Sequence, residues 1–294
     1  MLRLTENVMV LGNGNFNYFV VGQKEGVLIE CGTSAGVSIF AQQWSELKNK
    51  PDIKYILVMH SHFDHACGLP MLKDLFPAAQ VVASQATQKI LSLDKLKPVL
   101  QRADVFVTEA YAKEQLLSVI PGPLEIEQVK VDFTLDEGDS ITVGNGLKLE
   151  IINAPGHSPC SLAAYLPGEQ VMFISDAGGY QAPDGLMSPV FFQDYDLYLD
   201  TIKKLRQYPT VVLGVGHGAV PVGADQVHQF YTRGLEAAEE AFALIEEKLN
   251  GGQSDESITN ELYNTYIKGA MSYYPRDLMM GSVYQLVKNV KSRL

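Results

Sequence analysis

His60-Ser61-His62-Phe63-Asp64-His65 places four metal-ligating side chains within six residues. The cluster follows the apolar run Tyr55-Ile56-Leu57-Val58-Met59, which reads as a buried strand. Imidazole and carboxylate are ligand types of a divalent hydrolytic metal, so this stretch points to metal chemistry. A polar surface turn is the alternative, but it does not explain why three of the chain's six histidines stand together.

Three later segments repeat the arrangement. Ala154-Pro155-Gly156-His157-Ser158 follows the apolar run from Leu149 to Ile152. Phe173-Ile174-Ser175-Asp176-Ala177 closes the run that begins at Val171, and Gly214-Val215-Gly216-His217-Gly218 closes the one that begins at Val211. Strands of this kind deliver their following loops to one edge of a sheet, where binding residues collect. Glycines beside His157 and His217 allow sharp turns without a Cβ clash.

In that order the four segments resemble the ligand loops of the metallo-β-lactamase superfamily, over residues from about 8 to 220, with Ser175 where glycine is usual. The resemblance implies an α/β (α+β) fold, a four-layer αββα sandwich with a C-terminal helical extension. It divides the chain into residues 1–222, the sandwich, and residues 223–294, helices packing over the active site. His60, His62 and His157 would hold one metal; Asp64, His65 and His217 a second; Asp176 would bridge them. The cofactors implied are two divalent ions, zinc or iron, with manganese a further candidate. The reaction implied is attack of a bridging hydroxide on the carbonyl of a thioester or carboxylic ester, or of a lactone, with Asp64 orienting the hydroxide or passing a proton. In Leu28-Ile29-Glu30-Cys31-Gly32, Glu30 replaces the family's usual aspartate behind the ligands; a longer carboxylate can still bond a ligand imidazole.

Within the superfamily, the thioesterases of quinolone-signal biosynthesis are similar at Met1-Leu2-Arg3-Leu4, at Ile29-Glu30-Cys31-Gly32, from Pro189 to Leu199 and at Leu278-Met279-Met280-Gly281-Ser282. That resemblance implies tail helices closing over the metals, with Phe192 and Ser282 facing the substrate. Tyr180, where those enzymes carry an acidic residue, is a further substrate-side position. Met271, Tyr273, Tyr274, Met279 and Met280 are candidates for an apolar pocket, with ordinary tail packing the alternative. Arg276 reads as a receiver of a substrate anion or as a solvated charge at a helix start.

Composition bounds the partners. The 294 residues, 46% hydrophobic and 19% charged, suffice for one large core without disordered character. A net charge of −11 leaves no basic stripe for nucleic acid. The segment Met1 to Glu6 lacks the apolar core of a signal peptide, and the apolar stretch around Val211 to Ala224 is broken by glycines, His217 and Pro221, so no membrane contact is expected. Three cysteines without a CxxC spacing suggest free thiols and a cytoplasmic setting. Cys67 and Cys160, each just beyond a ligand loop, read as small buried fillers, with thiolate ligation the alternative. The partner expected is a small acyl substrate, and a homodimer is one use for the partly helical stretch from Leu93 to Gln128, a lid the other.

The remaining patterns are helical. Asp194 caps a stripe of Tyr195, Tyr198, Leu199, Ile202 and Leu205, and Val227 to Leu249 form a longer one that ends at Gly251-Gly252. Ser254 and Pro275 begin two more. His228 lies alone on the longer helix and reads as structural. Rival functions are phosphodiester hydrolysis, disfavoured without an Arg/Lys clamp; a flavin-linked di-iron role, whose relatives resemble H-x-E-x-D rather than the pattern His62 keeps; and a regulatory protein acting through partners.

Overall fold

The structure, a computed structural model, describes Met1–Leu294 apart from the side chain of Gln128. Its first sheet holds seven strands in chain order: β1 (Leu2–Arg3), β2 (Val8–Gly12), β3 (Asn17–Val21), β4 (Glu25–Ile29), β5 (Asp52–Leu57), β6 (Gln80–Ser84) and β7 (Phe133–Leu135). The first four form an antiparallel meander, while β4 to β7 run parallel. Parallel neighbours need crossovers, supplied by α1 (Ser34–Glu46), α2 (Phe63–Ala66), α3 (Leu69–Leu75), α4 (Gln85–Leu91) and α5 (Lys97–Lys113).

The second sheet contains β8 (Ser140–Val143), β9 (Leu147–Asn153), β10 (Leu162–Leu166) and β11 (Val171–Ser175). A short pair, β12 (Tyr180–Gln181) and β13 (Met187–Ser188), stands apart, and β14 (Val212–Val215) completes the sheet, parallel to β11. The sheets pack face to face through Val8, Phe19, Ile29, Leu57 and Met59 on one side and Leu149, Ile151, Leu162 and Phe173 on the other. Phe19 and Phe173 meet edge to face at 5.2 Å between ring centroids, a favoured aromatic geometry.

Helices cover both outer faces. Phe40, Trp44, Leu72, Leu100 and Val107 seal the first sheet. The second is covered by α6 (Tyr195–Leu205), α7 (Ala224–Asn250), α8 (Asp255–Tyr266) and α9 (Arg276–Lys291). The layers therefore run αββα, as the resemblance implied, with the tail helices in the outer layer over the second sheet. Asp194 caps α6 by accepting from the Leu197 N–H at 2.9 Å, and Ser254 caps α8 through the Ser257 N–H at 3.2 Å. Among the described residues no helix is long and apolar enough to cross a membrane.

The tail is tied to the sandwich by specific bonds. Asn289 on α9 donates to the Phe191 carbonyl at 3.2 Å, and Ser188 on β13 donates to the Tyr266 carbonyl at 2.9 Å. Arg293 pairs with Asp194 and Asp196 at the start of α6, both at 2.9 Å. Gly234, inside α7, brings that helix against the loop after β11: a Cβ there would stand 2.4 Å from the Gly178 carbonyl oxygen. Glycine to alanine in a helix normally gains about 1 kcal/mol. Gly234→Ala is expected to lose roughly 1–3 kcal/mol instead, because backbone must move to admit the methyl. Thermal unfolding checks the sign; a raised Tm would contradict this packing.

Candidate metal centre

Each predicted donor leaves the carboxyl end of a strand. The run through β5 continues to His60, and His62 stands just before the four-residue α2, which carries Asp64 and His65. The loops after β9, β11 and β14 supply His157, Asp176 and His217. Gly156 makes the first of these turns at φ +114°, and a Cβ there would lie 2.3 Å from the Tyr198 backbone, so α6 can seat against His157's loop only with glycine.

The seven donors converge in two groups, His60, His62 and His157 in one and Asp64, His65, Asp176 and His217 in the other. In the first group His60 Nε2 lies 3.1 Å from His62 Nδ1, and His157 Nε2 lies 3.3 and 3.0 Å from the same two atoms. In the second, His65 Nε2 and His217 Nε2 are 3.1 Å apart, and Asp64 Oδ2 is 3.6 and 3.4 Å from them. Asp176 lies between the groups: its Oδ2 is 3.6 Å from His157 Nε2 and 3.3 Å from His65 Nε2, and its Oδ1 is 3.7 Å from His217 Nε2. His62 and Asp176 are half-buried and the other five buried.

Groups behind the ring fix which nitrogen faces inward. The Nδ1–H of His157 donates to the Val190 carbonyl at 2.9 Å, and that of His217 to the Asn15 carbonyl at 2.5 Å. His65 Nδ1–H donates to Glu30 Oε2 at 2.7 Å, the role foreseen for Glu30. A carbonyl only accepts, so the His157 and His217 protons lie on Nδ1 and their Nε2 lone pairs point at the other donors. One shared proton can satisfy one edge of the His60–His62–His157 triangle; a cation at its centre satisfies all three. The residues present therefore fit a pair of metal ions.

Electrostatics separates the halves. Burial pushes His60 far down, reinforced by its histidine neighbours, and takes His62 to about 3, with His157 adding to the effect. Burial also lowers His157. These imidazoles are neutral, the form that ligates. Burial acts downward on His65 as well, but Glu30, Asp176 and Asp64 overcome it and hold the group well above the ordinary histidine value. His217 is raised by Asp176 and by its bond to Asp64, again against burial. Burial would raise both aspartates, yet His65 and His217 hold them below the ordinary carboxylate range.

Glu30 and Ser175 both take positive φ, +77° and +51°, conformations that non-glycine residues adopt at a cost of about 1–3 kcal/mol. Strain held at two turns beside the donors accords with a functional site. Ser175 Oγ lies 3.4 Å from His60 Nδ1 and 3.3 Å from His65 Nδ1, so serine in place of the usual glycine adds a hydroxyl behind both rings. Cys67 is buried with its thiol towards the Leu100 carbonyl, and Cys160 Sγ lies 3.2 Å from Ser61 Oγ, bridging two donor loops. Neither cysteine belongs to a donor group.

The donors open into a cavity of about 250 Å³ walled by α5, the loop Val190–Phe192 and the tail. Phe192 and Ser282 line it, and the Phe192 ring lies 5.3 Å from that of His157. Tyr180 lines it through its ring, while its hydroxyl accepts from the Ala270 N–H at 2.8 Å and so anchors the tail. Met271, Tyr274 and Met279 are in the wall; Tyr273 is not among the lining residues and donates to Glu114, and Met280 and Arg276 face an outer groove. The Arg276 guanidinium stacks 4.9 Å over Tyr263, and His228 meets Arg206 on the surface. Nothing in the sequence marks the Val190 and Asn15 carbonyls, because every residue carries one.

The model of the metallo-beta-lactamase superfamily matches residues 12–217 of this chain. The chain belongs to that superfamily. It is 26% identical over 207 residues to the metallo-beta-lactamase fold-containing protein ST1585 of Sulfurisphaera tokodaii, spanning 69% of this chain and 72% of that one. The solved structure of ST1585 superposes with a TM-score of 0.58, covering 79% of this chain and 86% of the other, at 21% identity. The putative diflavin flavoprotein A 2 of Synechocystis is 24% identical over 69% of this chain but only 33% of its own length. The hydroxyacylglutathione hydrolase of Idiomarina loihiensis is 28% identical over 57% of this chain and 47% of its own.

Glu30→Gln keeps the shape of the residue behind His65 and removes its charge. We expect metal affinity to fall by about 10–100-fold with the fold retained, as measured by competition with a chelator. An unchanged affinity would show that Glu30 does not support the site.

Proposed function

We propose that the protein is a dinuclear metal-dependent hydrolase acting on a thioester or carboxylic ester, lactones included. The observation that carries this reading is the convergence of the seven donors, five of which (His62, Asp64, His157, Asp176 and His217) line the inner end of an apolar cavity. His60, His62 and His157 would hold one ion, Asp64, His65 and His217 the other, with Asp176 between them. Two divalent ions held there would supply Lewis acidity and a water acidic enough to ionise near neutral pH.

The chain's own residues set up the rest. Phe192 and Val190 wall the cavity beside His157 and place an acyl carbonyl next to the donors while excluding bulk water. Asp64 Oδ2, fixed beside His65 and His217, orients the attacking water and can hold its proton. Hydrolysis breaks the bond from the acyl carbon to the leaving oxygen or sulfur; water supplies the hydroxyl to that carbon and the proton to the leaving group. The hydroxyacylglutathione hydrolase relative supports a carbonyl substrate. The narrower likeness to quinolone-signal thioesterases rests on sequence motifs alone. Phosphodiesters are disfavoured because no lysine or arginine lines the cavity.

Acyl-CoA, aryl ester, lactone and phosphodiester substrates, tried on protein analysed for metal, test the assignment. Turnover of the first three classes, and not of the phosphodiester, is expected. His60→Ala and Asp176→Ala should lower metal content and kcat/KM together, beyond the ~10–100-fold cost of losing an outer partner. Full activity in a metal-depleted His60→Ala protein would refute the assignment; a metal-loaded protein inert on the whole panel would favour a binding role.

A further inference from the structure

The cavity is chemically divided. Its inner end carries the histidines and aspartates already described, and its outer part is built from Leu96, Val99 and Leu100 on one side and Met271, Leu278 and Met279 on the other. Among the lining residues there is no lysine, arginine or glutamate, and Ser61 and Ser282 are the uncharged hydroxyls apart from tyrosine. Lys89 and Lys95, beside Ile90 and Leu96, are exposed and outside the lining, and three other cations nearby are engaged elsewhere. Lys97 pairs with Asp94 and Glu127 at 2.8 and 2.7 Å, Arg102 pairs with Asp277 at 2.7 Å, and Arg276 stacks on Tyr263. A carboxylate or phosphate entering this chamber would lose its hydration and find no counter-charge beyond the donors themselves.

We infer that this chamber selects an uncharged, apolar acyl group, seated between α5 and the tail with its carbonyl at the donors, and rejects acyl groups ending in an anion. The inference rests on the hydrolase reading for its chemistry, but the selectivity belongs to the walls. The volume of about 250 Å³ suits a medium-length alkyl chain or a single substituted ring rather than a long lipid. Two thioether side chains among the walls allow the chamber to adapt to either shape. The leaving group, by contrast, meets no feature that specifies it.

Two measurements test this. The first is kcat/KM of the metal-loaded enzyme for 4-nitrophenyl esters lengthened from acetyl to octanoyl, beside equal-length esters ending in a carboxylate. An increase of about fourfold per methylene is expected until the chamber is full, with the carboxylated esters at least about tenfold slower than their neutral counterparts. The second is calorimetric binding of octanamide, and of its carboxylated equivalent, to metal-free protein; the neutral amide should bind and the anion should not. Val99→Lys places a cation on the rim at a position already 37% exposed, and should restore binding of the carboxylated amide. If no ester is hydrolysed but octanamide binds selectively, the hydrolase reading fails and the chamber's selectivity stands. If esters are hydrolysed without dependence on chain length and octanamide does not bind, the selectivity is overturned and the hydrolase reading stands.

Discussion

Three imidazole nitrogens held 3.0–3.3 Å apart, with no more than one proton to share at any edge, are the constraint around which this molecule is organised. Lone pairs at that distance repel, and burial removes the water that would separate them. A fold holds such an arrangement by fixing rings from behind. In this triangle the Val190 carbonyl fixes His157 and the Ser175 hydroxyl lies 3.4 Å behind His60; in the neighbouring group the Asn15 carbonyl and the Glu30 carboxylate fix His217 and His65. Each belongs to a segment distant in sequence from the ring it fixes, so the site is a product of the whole sandwich rather than of one loop.

The same constraint explains why the tail belongs to the site. Val190 and Phe192 sit between His157 and α9, and Asn289 on α9 holds that wall through the Phe191 carbonyl. Tyr180 performs the corresponding task on the other side, taking the Ala270 N–H and so locating the segment that carries Met271 and Tyr274. Loss of tail packing would therefore loosen both a cavity wall and the backbone that orients a ligand ring.

Much of this was legible in the residues. Strand runs ending in histidine or aspartate announce both a sheet edge and its chemistry, and the four segments together led to the superfamily and its layers. Glu30 could be placed behind the ligands because it stands where a shorter carboxylate is usual. The chamber was harder. Helical periodicity shows which face of α5 or α9 is buried, not what lies opposite. Met279 and Met280 both read as pocket candidates, yet successive helical residues point about 100° apart, and only Met279 turns inward. Tyr273 and Tyr274 part because the backbone turns extended at Tyr274: Tyr274 enters the wall and Tyr273 bonds Glu114. Tyr180's hydroxyl was unreadable for another reason: its partner is a backbone N–H far along the chain.

Diffraction from crystals grown with zinc, recorded on either side of the zinc absorption edge, tests the central claim most directly. Two anomalous peaks are predicted, one among His60, His62 and His157 and one among Asp64, His65 and His217, with Asp176 reaching both. Peaks elsewhere, or a single peak with half of the donors turned away from it, would contradict the account.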